Sequence, residues 1–76
     1  MKKEIDEFSA RETLAQNLKR LRLQRGMSQQ QVGDRMGIQR STYTYMENGK
    51  TVPDALQVIR LAEIFGVTTD ALLGRG

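Results

Sequence analysis

A chain of 76 residues with neither cysteine nor histidine has no covalent or metal staple with which to hold a small fold. Domains of this size bury only about 60% of the surface that the unfolded chain exposes. Packing of apolar side chains must therefore supply the stability, which favours one compact helical domain over a loop-rich one. The same absence removes the commonest general base, the thiolate nucleophile and the usual transition-metal ligands. What is left is a binding protein, not an enzyme, with no call for a cofactor or a metal. The longest stretch free of Asp, Glu, Lys and Arg runs from Gly26 to Gly33, far short of the roughly 18 apolar residues of a membrane span. The start, Met1-Lys-Lys-Glu-Ile-Asp, has no apolar core and is not a signal peptide. The expectation is a cytoplasmic protein with no membrane partner.

Net charge is only +3, but it is unevenly spread. Residues 13–50 carry Lys19, Arg20, Arg22, Arg25, Arg35, Arg40 and Lys50 against Asp34 and Glu47, for +5, while the segments on either side are each −1. A basic centre between weakly acidic flanks suggests a surface facing a polyanion. A solvated helix face accounts equally well for Lys19 to Arg25.

Helical signals recur along the chain. Ser9-Ala-Arg-Glu12 has the form of a capping box, and Leu14, Leu18 and Leu21 follow on one stripe that ends at Gly26, so the first helix is expected over about 10–25. Ser28-Gln-Gln-Gln31 is a second box, with Val32 and Met36 on the inward face of a helix over about 29–36. Asp54 after Pro53 caps a further helix whose inward stripe is read as Leu56, Ile59, Ala62 or Glu63, and Phe65, closed by Gly66. Thr68 caps a last short helix with Ala71, Leu72 and Leu73. No internal repeat or linker divides the chain. The expected organisation is a tail or helix extension over 1–9, a folded domain over 10–73 and a tail over 74–76.

The segment from Gly37 to Pro53 supports two local readings. Ser41-Thr-Tyr-Thr-Tyr45 favours strands, and Asn48-Gly49 is a strong hairpin signal. As a helix, the same residues put Tyr43 and Met46 on one face and Ser41, Thr44, Tyr45 and Asn48 on the other, with Gly49 as a left-handed cap. Propensity does not choose between them. Gly49-Lys50-Thr51 lacks the first glycine and the preceding strand of a phosphate-binding loop, and Gly33 to Gly37 makes a G-x-x-x-G that means little outside a membrane helix.

The ordered set Gln29, Val32, Gly33, Gly37, Ile38, Tyr43, Met46, Glu47-Asn48-Gly49-Lys50 and Pro53 resembles the helix-turn-helix family of the phage repressors and Cro. Similarity extends over about residues 14–73, through Phe65-Gly-Val67 to Leu72. The resemblance implies an all-α, compact five-helix domain with the helix-turn-helix at the second and third helices. It makes Gln39 to Asn48 the recognition helix, which this family lays in the major groove. Gly33 stands where Ala is usual, Tyr43 where Ile or Val is usual, Met46 where an aromatic or Leu is frequent, and Gln39 at the usual Ser cap. Tyr43 is the largest departure, since its hydroxyl must reach water or a partner. The expected core is Leu18, Leu21, Val32, Met36, Ile38, Tyr43, Met46, Leu56, Ile59, Leu61, Phe65 and Leu72.

By the same resemblance, Arg22 and Glu47 occupy positions of an ion pair that ties the first helix to the recognition helix. Gln29, Asn48 and Lys50 match positions that touch phosphates, Gln29 lying in the first turn of a helix, where free N–H groups attract anions. Gln39, Arg40, Ser41, Thr44 and Tyr45 are the expected readers of base edges. Arg20 and Arg25 are weaker phosphate candidates. The implied function is a sequence-specific, double-stranded DNA-binding transcriptional regulator, a repressor acting as a homodimer on a palindromic operator. Beside it stand an antitoxin or another module that binds a protein partner such as a toxin or an anti-repressor, with residues 1–12 as a docking segment, and a restriction-modification controller protein.

Overall fold

The computed structural model describes residues 7–75. Among them five helices form in the order α1 (Glu7–Gln24), α2 (Gln29–Met36), α3 (Arg40–Glu47), α4 (Ala55–Phe65) and α5 (Thr69–Leu73). No strand forms among the described residues, so the hairpin reading of 41–52 gives way to a helix. The reason is burial, which overrides local preference: Tyr43 is fully buried and Met46 nearly so, side by side on one face of α3. The expected docking segment over 1–12 lies, through residue 6, outside the described residues.

The first helix starts earlier than its sequence signal. Ser9 sits inside α1 and does not cap it. The helix carries on to Glu7, whose carboxylate meets Arg11 one turn later at 3.4 Å, the spacing at which opposite charges support a helix. Leu14, Ala15, Leu18 and Leu21 form its buried stripe.

Both glutamine-containing boxes close as hydrogen-bonded pairs. Gln31 N donates to Ser28 Oγ at 3.0 Å and Ser28 N to Gln31 Oε1 at 2.8 Å. Gln57 N donates to Asp54 Oδ1 at 2.8 Å and Asp54 N to Gln57 Oε1 at 2.9 Å. Each satisfies two of the amide groups that a helix start leaves without partners. Thr68 Oγ1 accepts from Ala71 N at 3.0 Å to start α5.

The inward face of α4 differs from the one read off the sequence. Leu61, Ala62 and Phe65 are buried with Val58 packed behind them, whereas Leu56 is 77% and Ile59 48% exposed. Two stripes at helical spacing run along this helix, and packing against α2 and α5 selects the one through Val58, Leu61, Ala62 and Phe65. Met36 and Ile38 lie at the edge of the core and Leu14 inside it.

Helix α1 packs on α3 and α5, α2 on α3 and α4, and α4 on α5. Tyr43, Phe65, Leu18, Leu61, Leu72 and Val32 form the fully buried centre. Two polar ties close the bundle: Asn17 Nδ2 donates to the Leu72 carbonyl, and Arg25 Nε to the Phe65 carbonyl, each at 3.0 Å. Arg25 thus supports the C-terminal end of α4. Between α2 and α3 the backbones come close. A Cβ on Gly33 would lie 3.2 Å from the Ile38 carbonyl oxygen and 3.5 Å from the Arg40 Cα. No helix among the described residues is long and apolar enough to cross a membrane.

The two stripes of α4 separate cleanly by mutation. Leu61→Ala is expected to lower stability by about 2–5 kcal/mol, the usual cost of emptying a core site, and Leu56→Ala to stay within about 0.5 kcal/mol of the parent. Denaturant unfolding of the two variants measures both, and equal losses would contradict the buried stripe.

Candidate nucleic-acid interface

The site is organised by a carboxylate buried between three helices. Glu47, 8% exposed, ends α3 and receives four hydrogen bonds. Arg22 of α1 grips it with two donors on one edge of the guanidinium, Nε to Oε2 at 2.5 Å and Nη2 to Oε1 at 3.2 Å. Gln29 Nε2 of α2 donates to Oε1 at 3.2 Å, and the Tyr43 hydroxyl, one turn earlier on α3, donates to Oε2 at 2.6 Å. Arg22 also places Nη1 on the Met27 carbonyl at 2.9 Å, so the loop before α2 is held by the same side chain. Among the described residues no buried side-chain nitrogen or oxygen lacks a partner.

This arrangement fixes the charge states. Burial pushes the Glu47 carboxyl up, but hydrogen bonds from Arg22, Tyr43 and Gln29 outweigh it and hold the group below its ordinary range. Burial and the hydrogen bond to Glu47 keep the Tyr43 phenol protonated far above its ordinary pKa, and the hydrogen bond to Glu47 raises Arg22 further. The hydroxyl that makes Tyr43 unusual at this position is thus the fourth donor to Glu47.

The remaining face of α3 is open. Arg40, Ser41 and Tyr45 are exposed and Thr44 is half-buried, with Gln39 exposed at the start of the helix and Asn48 at its end. Gln39 is extended and makes no side-chain cap. Thr44 Oγ1 lies 3.0 Å from Gln29 Oε1 and 2.9 Å from the Arg40 carbonyl oxygen, two acceptors that share its one proton.

The end of α3 is set by Gly49 at φ +76°, a conformation costly for other residues. Gly49 N donates to the Met46 carbonyl at 3.2 Å and Lys50 N to the Tyr45 carbonyl at 2.9 Å, the paired closure of a Schellman motif. The turn brings Lys50 back over α3, its Nζ 6.0 Å from the Tyr45 ring centre. Of the expected phosphate-contacting residues, Asn48 and Lys50 are therefore exposed together, while Gln29 is engaged with Glu47 and Thr44. The Tyr43 to Glu47 bond has a signal in the sequence, a hydroxyl and a carboxylate one helical turn apart. The Gln29 to Thr44 bond joins residues fifteen apart and has none.

The network makes stability depend on pH at both ends. Glu47 has its pKa lowered by folding, so its contribution is present above the ordinary carboxylate pKa of about 4.3 and is lost as pH falls below it. Tyr43 has its pKa raised, so above about pH 10 the unfolded chain releases a proton that the fold retains, and stability falls as pH rises. Tyr43→Phe should cost about 1.5–3 kcal/mol near neutrality, the worth of a hydrogen bond to a charged group, and should flatten the alkaline limb and, because Glu47 loses one of the donors that lower its pKa, make the acid limb shallower as well. Chemical unfolding from pH 3 to 11 checks it, and an unchanged alkaline limb would contradict the assignment.

A helix-turn-helix family model matches residues 18–72. The SPbeta prophage-derived uncharacterized HTH-type transcriptional regulator YonR of Bacillus subtilis (strain 168) is 43% identical over 58 residues, 76% of this chain and 54% of that protein. The HTH-type transcriptional regulator AnsR of the same organism is 40% identical over 58 residues, 76% of this chain and 50% of its own length. The chain spans about half the length of the curated relatives it matches. Among solved structures, a transcriptional regulator from Listeria innocua aligns with a TM-score of 0.76 at 36% identity, over 80% of this chain and 57% of that one. The hypothetical transcription factor NHTF from Neisseria aligns with a TM-score of 0.81 at 25% identity, over 96% and 84%. With α2 and α3 joined through the tight turn at Gly37, and the family match running from α1 to α5, the chain belongs to the helix-turn-helix family of DNA-binding transcriptional regulators, in its phage-repressor and Cro branch.

Proposed function

We propose that this chain binds double-stranded DNA by laying α3 in the major groove, and that it acts in the cytoplasm as a transcriptional repressor, a homodimer on a palindromic operator. The observation that carries the reading is the concealment of Glu47. It is the only acidic residue of α3, and it is buried against Arg22. The outward face therefore offers DNA the cation of Arg40, the polar groups of Ser41, Tyr45 and Asn48, and then Lys50, with no carboxylate among them.

In this reading Gln39, Arg40, Ser41, Thr44 and Tyr45 face base edges. Arg40 suits the O6 and N7 acceptors of guanine, and the Thr44 methyl or the Tyr45 ring suits a thymine methyl. Asn48, Lys50 and Gln29 meet phosphates. These contacts fix the register of the protein on the duplex without carrying sequence information directly. Dimerisation is supported by Val52, Leu56 and Ile59, large apolar side chains exposed on α4 and the loop before it and available to a second copy. The names of the relatives agree with a regulatory role.

Reading and positioning should separate by mutation. Arg40→Ala is expected to cost about 1–3 kcal/mol at one base pair and to relax preference there, whereas Lys50→Ala should weaken all duplexes alike and lower the salt slope by about one unit. If a dimer makes six to ten phosphate contacts, affinity should fall about 10³- to 10⁵-fold between 50 and 200 mM salt. Titrations of specific and nonspecific duplexes measure these effects, and a flat salt response would overturn DNA binding itself.

The two-fold symmetry of a dimer makes a geometric demand. Random-site selection should return inverted half-sites with centres about 10 bp apart, one turn of the duplex. Recovery of a lone asymmetric half-site at every protein concentration would contradict a functional dimer.

A further inference from the structure

Both ends of the Gln29 amide are bonded to α3, and we propose that Gln29 is a positioning residue for specificity, holding the Thr44 hydroxyl inward so that Thr44 reads thymine through its methyl group. The inference rests on the DNA-binding reading above. The orientation of the amide is dictated by Glu47. An ionised carboxylate only accepts hydrogen bonds, so Gln29 must turn Nε2 toward Glu47 Oε1, at 3.2 Å, which presents its own Oε1 to Thr44 Oγ1 at 3.0 Å.

A threonine in a helix divides between two χ1 rotamers, because its hydroxyl can reach a carbonyl of the preceding turn from either. The 2.9 Å contact with the Arg40 carbonyl therefore does not choose between them. Gln29 Oε1 does, since moving Oγ1 to another staggered position carries it away from this acceptor. With its proton turned to two protein oxygens, the half-buried Thr44 keeps its methyl group for the outward row that it shares with Ser41, Tyr45 and Asn48. In the major groove an apolar contact of this kind selects the 5-methyl of thymine. The second amide hydrogen of Gln29 has no partner among the described residues and is available to a phosphate. One side chain thereby joins backbone contact to base choice, in contrast to Lys50, whose single charge carries no sequence information.

The test uses the whole chain and Gln29→Met, which keeps the length of the side chain and loses its hydrogen bonds, with thermal melting to confirm that the variant folds. Without DNA, three-bond couplings about the Thr44 χ1 should report one rotamer in the parent and averaging in Gln29→Met. With a duplex obtained by random-site selection, each thymine is then replaced in turn by uracil, which lacks the methyl. One replacement per half-site should weaken the parent about fourfold, the worth of one buried methyl group. Gln29→Met should lose this sensitivity, and adding Thr44→Val, which carries a methyl at both γ positions, should restore it. A Gln29→Met protein that keeps one Thr44 rotamer and full uracil sensitivity while weakening on every duplex equally would overturn the inference and make Gln29 a plain phosphate clamp. Failure of the parent to select any site would overturn the DNA reading and this inference with it, whereas selection with unchanged uracil sensitivity in the variant overturns this inference alone.

Discussion

A carboxylate taken out of water between helices is tolerable only if its lost hydration is replaced, and at Glu47 the replacement comes from three separate elements. Arg22 on α1 supplies charge and a two-pronged grip, Gln29 on α2 an amide proton, and Tyr43 on α3 itself a hydroxyl. Burying an ion pair is a poor way to gain stability over well-packed apolar residues, because desolvation consumes most of the attraction. Its return is geometric. The four donors are satisfied together in one mutual arrangement of α1, α2 and α3, so the angle at which α3 leaves the body is fixed by hydrogen bonds with narrow directional limits as well as by apolar contact, which tolerates sliding.

That constraint explains why a tyrosine serves at position 43. The ring fills the centre of the core, fully buried beside Leu18, Phe65 and Leu61, and the hydroxyl reaches Glu47 one turn away. An isoleucine there would satisfy the core and leave Glu47 with three donors. Core and interface thus meet in one side chain: what packs against α1 also determines how the acidic group of α3 is hidden, and hiding it leaves Arg40 as the only charge among the exposed residues of α3.

How much of this was legible depends on the range of the interaction involved. The starts of α2 and α4 were readable because Ser28, Gln31 and Asp54 act within one turn, where sequence spacing is geometry. The segment 41–52 was ambiguous because strand-favouring residues and Asn48-Gly49 describe a hairpin as well as they describe an amphipathic helix ended by a glycine; the core decided, and the family resemblance anticipated it. The stripe of α4 holds at Ala62 and Phe65 and fails at Leu56 and Ile59, because these two are as apolar as the residues that are buried, and only the approach of α2 and α5 distinguishes the two faces. Ser9 did not act as a cap because the helix runs through it from Glu7, whose pair with Arg11 spans the first described turn. In the site, the resemblance pointed to Arg22 with Glu47 and to the outward residues of α3, but not to the bond from Gln29 to Thr44, which exists only through the crossing of α2 over α3.

That crossing gives the interface its character. The absence of a side chain at Gly33 lets the first helix of the pair approach the turn so closely that a Cβ would stand 3.2 Å from the Ile38 carbonyl oxygen, and Gln29 spans the same gap at its other end. Bonded through Gln29 and closely packed at Gly33, α2 and α3 are held in one mutual arrangement, which in the proposed DNA complex gives the start of the first a set offset from the outward side of the second. In the proposed complex, phosphate contacts would then orient the base contacts, since a pair of helices docked on phosphates could not shift α3 independently along the groove. On the proposed reading, sequence preference would reside partly in residues that touch no base, with Arg22, Gln29, Tyr43 and Glu47 acting through the pose they impose on Arg40, Ser41, Thr44 and Tyr45.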